Sequence, residues 1–190
     1  TMVSSRGRLF TICDEAPPGL EGTLPDKWFL VARDAFNGVP LWKRPILEWG
    51  WRQWNTEWEG RFDMPLQLPK RLVANGDRLF ATLSFNGRLT ALDAATGEGL
   101  RVYDGTDNTD EILYQDGLLI LSVNEEARKP SANNKTPVKK SVCVIDADSG
   151  KMLWKQGVFT GLSAKYDSAQ PFGRLEMTVG DGQVFLADHN

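Results

Sequence analysis

The sequence predicts an all-β chain assembled from repeated four-stranded antiparallel units. Two short modules recur in strict alternation along the 190 residues, the one repeat free of a long insertion is about a sheet in length, and the intervening segments alternate apolar with polar residues.

The first module is a glycine-containing turn that opens a strand. Its copies are Gly7-Arg8-Leu9-Phe10, Gly76-Asp77-Arg78-Leu79-Phe80, Asp116-Gly117-Leu118-Leu119-Ile120 and Gly180-Asp181-Gly182-Gln183-Val184-Phe185. The second is a strand that ends in Asp, turns through a Gly four residues later and resumes on an apolar side chain. Its copies are Asp34 with Gly38 and Trp42, Asp93 with Gly97 and Arg101, and Asp146 with Gly150 and Trp154. An aspartate at a strand end bonds the turn amides, and glycine supplies the positive φ of a tight hairpin. An indole that opens the next strand offers a large area to a neighbouring sheet.

Phe80 and Ile120 stand 40 residues apart, the period of a propeller blade. The expectation is a partial β-propeller of about three four-stranded antiparallel blades plus the first strands of another, in a single segment 1–190. Blade 1 is placed at 1–46, a Trp-rich connection at 47–69, blade 2 at 70–105, blade 3 at 111–157 and the start of a fourth at 174–190. Only a scrap of chain precedes the strand at Leu9-Phe10, so the first repeat reads as incomplete at its start.

Composition narrows the function classes. With 22 Lys plus Arg against 25 Asp plus Glu the formal charge is −3, which provides no net field for nucleic acid. No apolar run reaches the length of a membrane-spanning helix, so membrane insertion is not expected. His189 is the only histidine, which removes histidine-based triads and multi-histidine metal sites, and no catalytic or metal-binding residue is assigned. Cys13 and Cys143 sit alone in predicted strands and read as buried thiols.

The second module, Ala-x-Asp-x-x-x-Gly-x-x-x-Trp, resembles the tryptophan-docking motif of propellers of the pyrroloquinoline-quinone (PQQ) type. Ala32, Asp34, Gly38 and Trp42 match it in full; Ala91, Asp93 and Gly97 match with Arg101 in place of Trp; Asp146, Gly150 and Trp154 match with Val144 in place of Ala. The resemblance implies that Trp42 and Trp154 dock onto the adjacent blade, and it leaves the contact at Arg101 open. The family includes quinone-dependent dehydrogenases, an outer-membrane assembly scaffold and many uncharacterised multi-domain bacterial proteins. The stretch from Trp28 through Asp34 to Ile46 and the turn from Leu92 to Gly97 look most like the last group, which implies a periplasmic or otherwise extracytoplasmic location.

In a meander of strands A to D, the A–B and C–D turns share one end of the blade and the B–C and D–A connections share the other. The first kind are all short here. The long segments, at 14–27, 47–69, 125–138 and 157–173, are all of the second kind, so one face is elaborated and is the expected binding surface. The 47–69 connection holds Trp49, Trp51, Trp54 and Trp58 with Arg52 among them, a set suited to a planar ligand, a sugar or a protein partner. The same indoles would also serve as a small core closing a long loop. Asp104, Asp107, Asp110 and Glu111 read as solvated turn carboxylates, and the loop from Glu125 to Val138, followed by Lys139 and Lys140, as a solvated segment.

The reading is a noncatalytic β-propeller binding or scaffold module that presents one face to a protein partner, a ligand or another domain of a longer chain, with no cofactor. Two alternatives come with the resemblance. One is part of a quinone-dependent dehydrogenase holding PQQ with calcium, in which a vicinal Cys-Cys disulfide covers the quinone; Cys13 and Cys143 lie 130 residues apart. The other is an outer-membrane assembly scaffold.

Overall fold

The computed structural model describes residues 1–17, 27–50, 53, 70–127, 138–162 and 175–188. Among them, fourteen strands form four antiparallel sheets. Sheet 1 is β1 (Met2–Ser5), β2 (Arg8–Asp14), β3 (Trp28–Asp34) and β4 (Pro40–Pro45). Sheet 2 is β5 (Leu72–Asn75), β6 (Arg78–Thr82), β7 (Leu89–Asp93) and β8 (Gly99–Val102). Sheet 3 is β9 (Thr109–Gln115), β10 (Leu118–Asn124), β11 (Val138–Asp146) and β12 (Met152–Leu162). Sheet 4 pairs β13 (Leu175–Gly180) with β14 (Gln183–Asp188).

In each four-stranded sheet the strands pair in chain order, so each is a meander and a blade. The scrap ahead of Leu9 is a full strand: β1 pairs from Met2 opposite Thr11 to Ser5 opposite Arg8. Its sequence, Met-Val-Ser-Ser, is too short and polar to announce a strand, and pairing with the strongly apolar β2 stabilises it. Sheet 3 starts at Thr109 and its last strand runs on to Leu162, beyond the 111–157 span read from the sequence.

Consecutive blades stack through three apolar cores. Phe10, Ile12, Leu30 and Ala32 of sheet 1 meet Leu72, Leu79, Ala81 and Leu92 of sheet 2. Phe80, Leu89 and Ala91, on the opposite face of sheet 2, meet Ile112, Leu119, Leu121, Cys143 and Ile145 of sheet 3. Ile120, Val142 and Val144 then meet Leu175 and Met177 of sheet 4. The period-two alternation sends neighbouring residues such as Leu79 and Phe80 into different cores, and each such side chain contributes roughly 1.5–3 kcal/mol by leaving water. The first strands of successive sheets lie side by side, β1 by β5, β5 by β9 and β9 by β13, which makes them the inner strands around a common axis.

Candidate functional site

The two ends of the blades are built differently. At the plain end each C–D turn is closed by its aspartate. Asp34 Oδ1 accepts the amides of Phe36 and Asn37 at 2.9 and 3.0 Å, Asp93 Oδ1 those of Ala95 and Thr96 at 2.8 Å, and Asp146 Oδ1 both the amide and the hydroxyl of Ser149 at 2.7 Å. The amides of Gly38, Gly97 and Gly150 return to the carbonyls of Asp34, Asp93 and Asp146 at 2.8–2.9 Å. Each C–D turn is also tied to the A–B turn of its own blade, through Ala35 to Gly7, Ala94 to Asp77 and Ala147 to Gly117. The amide bonds pull the Asp93 carboxyl below its usual range, and the Ser149 hydroxyl, followed by the Ser149 amide, does so for Asp146.

These turns receive side chains from the preceding blade. The indole of Trp42 lies across Gly97, where an added Cβ would meet its ring at 2.7 Å, and its N–H donates to the Ala94 carbonyl at 3.1 Å. Arg44 adds a bond to the Gly97 carbonyl at 2.9 Å. Arg101, at the position of the missing indole, lies over Gly150 in the same manner: a Cβ there would stand 2.8 Å from Nη1, and Nη2 donates to the Asp148 carbonyl at 3.3 Å. The joint left open in the sequence is therefore made by a guanidinium. Trp154 is 41% exposed, and nothing among the described residues lies within 4 Å of a Cβ at Gly38.

The opposite end carries the roots of the long connections, such as the bonds from Glu15 to Lys27 and from Glu125 to Lys139. Trp49 is the one member of the expected aromatic set that is described, and its indole is in the first core, 6% exposed. Trp51, Arg52, Trp54 and Trp58 lie outside the described residues. The guanidinium of Arg71, fully buried, sits 5.7 Å from the Trp49 ring and 5.3 Å from the Phe85 ring and donates to the Phe85 carbonyl.

Asp110 and Glu111 correct the expectation of solvated carboxylates, because both belong to β9 and are buried. The register shifts there: Ser122 faces Glu111 while Val123 faces Thr109, so Asp110 is the extra residue of a bulge and its side chain turns inward. Asp110 Oδ2 accepts from Lys140 Nζ at 2.6 Å and from Asn124 Nδ2 at 3.1 Å. Lys140, expected in a solvated segment, is 1% exposed. Glu111 pairs with Lys70 of the preceding blade at 3.0 Å, and burial nevertheless raises its carboxyl above the usual range. The hydroxyls of Thr82 and Ser122, at matching positions of β6 and β10, are buried without a partner among the described residues.

Arg71 and Glu111 occupy the same place in two blades, directly before Leu72 and Ile112 at matched distances from the A–B turn. Aligning the modules backward from Gly76 and Asp116 locates this pair. Their burial has no such signal, since it depends on what packs over the strand starts.

Among the described residues the carboxylates of this end do not offer calcium a ligand set. Five of the described carboxylates already have an internal cation: Asp110 has Lys140, Glu111 has Lys70, Asp104 and Asp107 share Arg88 at 3.3 and 3.0 Å, and Glu125 has Lys155 at 2.9 Å. No group of three or more acidic, cysteine or histidine side chains among the described residues is placed to hold a metal ion. Cys13 and Cys143 are both free thiols.

The assembly is a β-propeller segment. It is similar to the quinohemoprotein alcohol dehydrogenase of Comamonas testosteroni, at 16% identity and a TM-score of 0.50 over 82% of this chain and 20% of that one, a likeness of fold. Two further solved structures with a weaker likeness are the quinohemoprotein alcohol dehydrogenase ADHIIG of Pseudomonas putida HK5, with 14% identity and a TM-score of 0.47 over 97% of this chain and 30% of that one, and BamB of Moraxella catarrhalis, with 12% identity and a TM-score of 0.40 over 98% and 66%. The chain thus spans 20% and 30% of the length of the two dehydrogenases. No protein-family model and no curated protein matches the sequence.

Proposed function

We propose that the chain is a noncatalytic, PQQ-like propeller module that works outside the cytoplasm and presents its elaborated end to a protein partner or to another domain. The observation that carries this reading is the contrast between the ends. At the plain end the turns are short and closed by their own aspartates and by the neighbouring blade. At the other end the longer connections leave the sheets above buried charges that are paired with one another. Paired buried charges often cost stability relative to an apolar core, and in some proteins they serve specificity of structure. The Trp-rich connection, with Trp51, Arg52, Trp54 and Trp58, is part of the proposed surface.

A photo-cross-linker at Glu126, on the elaborated end, compared with one at Phe36, on the plain end, tests the assignment in cells; both positions are well exposed. One specific adduct from Glu126 and none from Phe36 is the expected result, and adducts from Phe36 alone would reverse the assignment. Titration with PQQ and calcium should leave the quinone absorbance unshifted, whereas saturable binding would favour the dehydrogenase alternative.

A further inference from the structure

The joint between blades 2 and 3 carries an ion pair at each end, and the two pairs differ in burial. At the plain end Arg78 of blade 2 meets Asp148 of blade 3 at 2.6 Å, with the carboxylate side chain 79% exposed. At the elaborated end Lys70 of blade 2 meets Glu111 of blade 3 at 3.0 Å, with the carboxylate side chain 5% exposed and the ammonium side chain 37%. Water reaches the cation of the second pair but hardly its anion.

The charges around Glu111 do not make up for that loss of water. Asp110, beside it on β9, is a second acidic side chain, and Lys140 of β11 is already committed to Asp110 at 2.6 Å. On β5 the residue at the matching position is Arg71, whose guanidinium lies against Trp49 and Phe85. On β13, which packs beside β9, the matching residue is Glu176, and it is exposed. That leaves the partly hydrated Lys70 as the main counter-charge to Glu111 among the described residues. Burying a carboxylate costs more than a partly hydrated, screened partner returns. The balance favours the neutral acid, in keeping with the upward displacement of the Glu111 carboxyl, whose leading cause is burial.

We infer that Lys70 and Glu111 form an acid-tightened clasp between blades 2 and 3: the elaborated end of the joint closes when Glu111 is neutral and loosens when it ionises. A carboxyl that holds its proton more tightly in the closed joint than in water shifts the joint toward closure as protons are added. Its stabilising contribution is complete below the ordinary carboxyl range and is lost as pH rises through the higher, folded value. Lys70 directly follows the Trp-rich connection, so the clasp sits at the root of that segment. It belongs to the joint and does not depend on the partner proposed for that end.

Urea unfolding of the full chain at mildly acid and at mildly alkaline pH tests the clasp with Glu111→Gln, which keeps the shape of the neutral acid and cannot ionise. The variant should unfold at a higher urea midpoint than the native chain at the alkaline pH, and the gap should close at the acid pH. A midpoint at or below the native one at the alkaline pH overturns the inference, because the ion pair would then be a plain stabilising contact. If Glu111→Gln does not fold, carboxyl carbon NMR of the native chain and of Lys70→Met decides. The Glu111 midpoint should lie above that of a free glutamate and rise further without the ammonium, and a midpoint at or below the free value refutes the clasp.

Discussion

Trp42 and Arg101 leave equivalent strands and reach equivalent turns, yet they hold their joints by different physics. The indole is a rigid plate pressed on a bare glycine, with Phe10 behind it at a ring separation of 6.0 Å. The guanidinium covers its glycine with the end of a flexible chain and is joined by a second arginine on the same aspartate. At the first joint the indole contributes packing and one hydrogen bond, with the Arg44 bond to the Gly97 carbonyl and the Arg6–Asp77 ion pair beside it. The other is a set of charge-assisted bonds near the surface, which salt and water weaken. The same position in a repeat can therefore be filled by different chemistry while the stacking of blades is preserved.

The three turn glycines offer a controlled way to measure the difference, because Gly38, Gly97 and Gly150 have φ of 75°, 76° and 76° and so share one conformational penalty for a side chain. Gly97→Ala should be the most damaging. It carries about 1–2 kcal/mol of left-handed strain and about 1–3 kcal/mol more for overpacking against an indole that cannot move aside. Gly150→Ala meets the end of the flexible Arg101 side chain and should cost less, and Gly38→Ala, with none of the described residues within 4 Å of the added Cβ, should show the strain alone. Urea unfolding of the three variants checks the order, and equal losses would mean that docking adds nothing at these turns.

Truncating the docking side chains gives the next largest effects. Trp42→Ala removes a half-buried indole and its bond to Ala94, and should cost about 2–4 kcal/mol, near the lower part of the range for large aromatic truncations. Arg101→Ala should cost about 0.5–1 kcal/mol, the scale of exposed polar contacts. Raising the salt concentration should shrink the Arg101 effect and leave the Trp42 effect in place.

A smaller and purely kinetic contrast concerns the cysteines. Cys143 lies in the core between sheets 2 and 3, and burial pushes its thiol up to about 11. It should be alkylated far more slowly than the half-exposed Cys13 at neutral pH, and the gap should close on unfolding. A variant that loosens the joint between blades 2 and 3, such as Asp148→Ala, should speed Cys143 labelling more than Trp42→Ala does. Mass spectrometry of timed alkylation measures this, and the opposite ranking would contradict the placement of the cysteine behind the Arg101 joint.

Much of the plain end was legible in the sequence because turn chemistry is local. An Asp and a Gly four residues on specify their own hydrogen bonds, and Asp34, Asp93 and Asp146 form closely matching turns whatever packs nearby. The docking of Arg101 was not legible, since the motif names an indole at that position and the carbonyl Arg101 meets, that of Asp148, lies 47 residues away in another blade. The buried state of Asp110, Glu111 and Lys140 was hidden for the same reason. A run of charges reads as a solvated turn until a bulge redirects Asp110 and the strand starts are covered. Burial of charge is a tertiary property, and only the equivalence of Arg71 with Glu111 could have pointed to it.

The finest distinction between the joints lies in the aspartates themselves. Both Asp93 and Asp146 have carboxyls below the usual range, so each contributes stability that is present above the unfolded-state pKa near 4 and is lost as pH falls through the lower, folded value. The causes differ in order. For Asp93 the amides of Thr96 and Ala95 come first, whereas for Asp146 the Ser149 hydroxyl leads. Thr96→Ala should therefore leave the Asp93 midpoint nearly in place, because the backbone supplies its donors. Ser149→Ala should move the Asp146 midpoint upward, bringing acid destabilisation of the blade 3 turn to a higher pH. Carboxyl carbon NMR titration of the two variants resolves the sites directly. An upward shift of Asp93 as large as that of Asp146 would show that the hydroxyls, and not the turn amides, set both values, and the two turns would then be electrostatically alike despite the different side chains that dock on them.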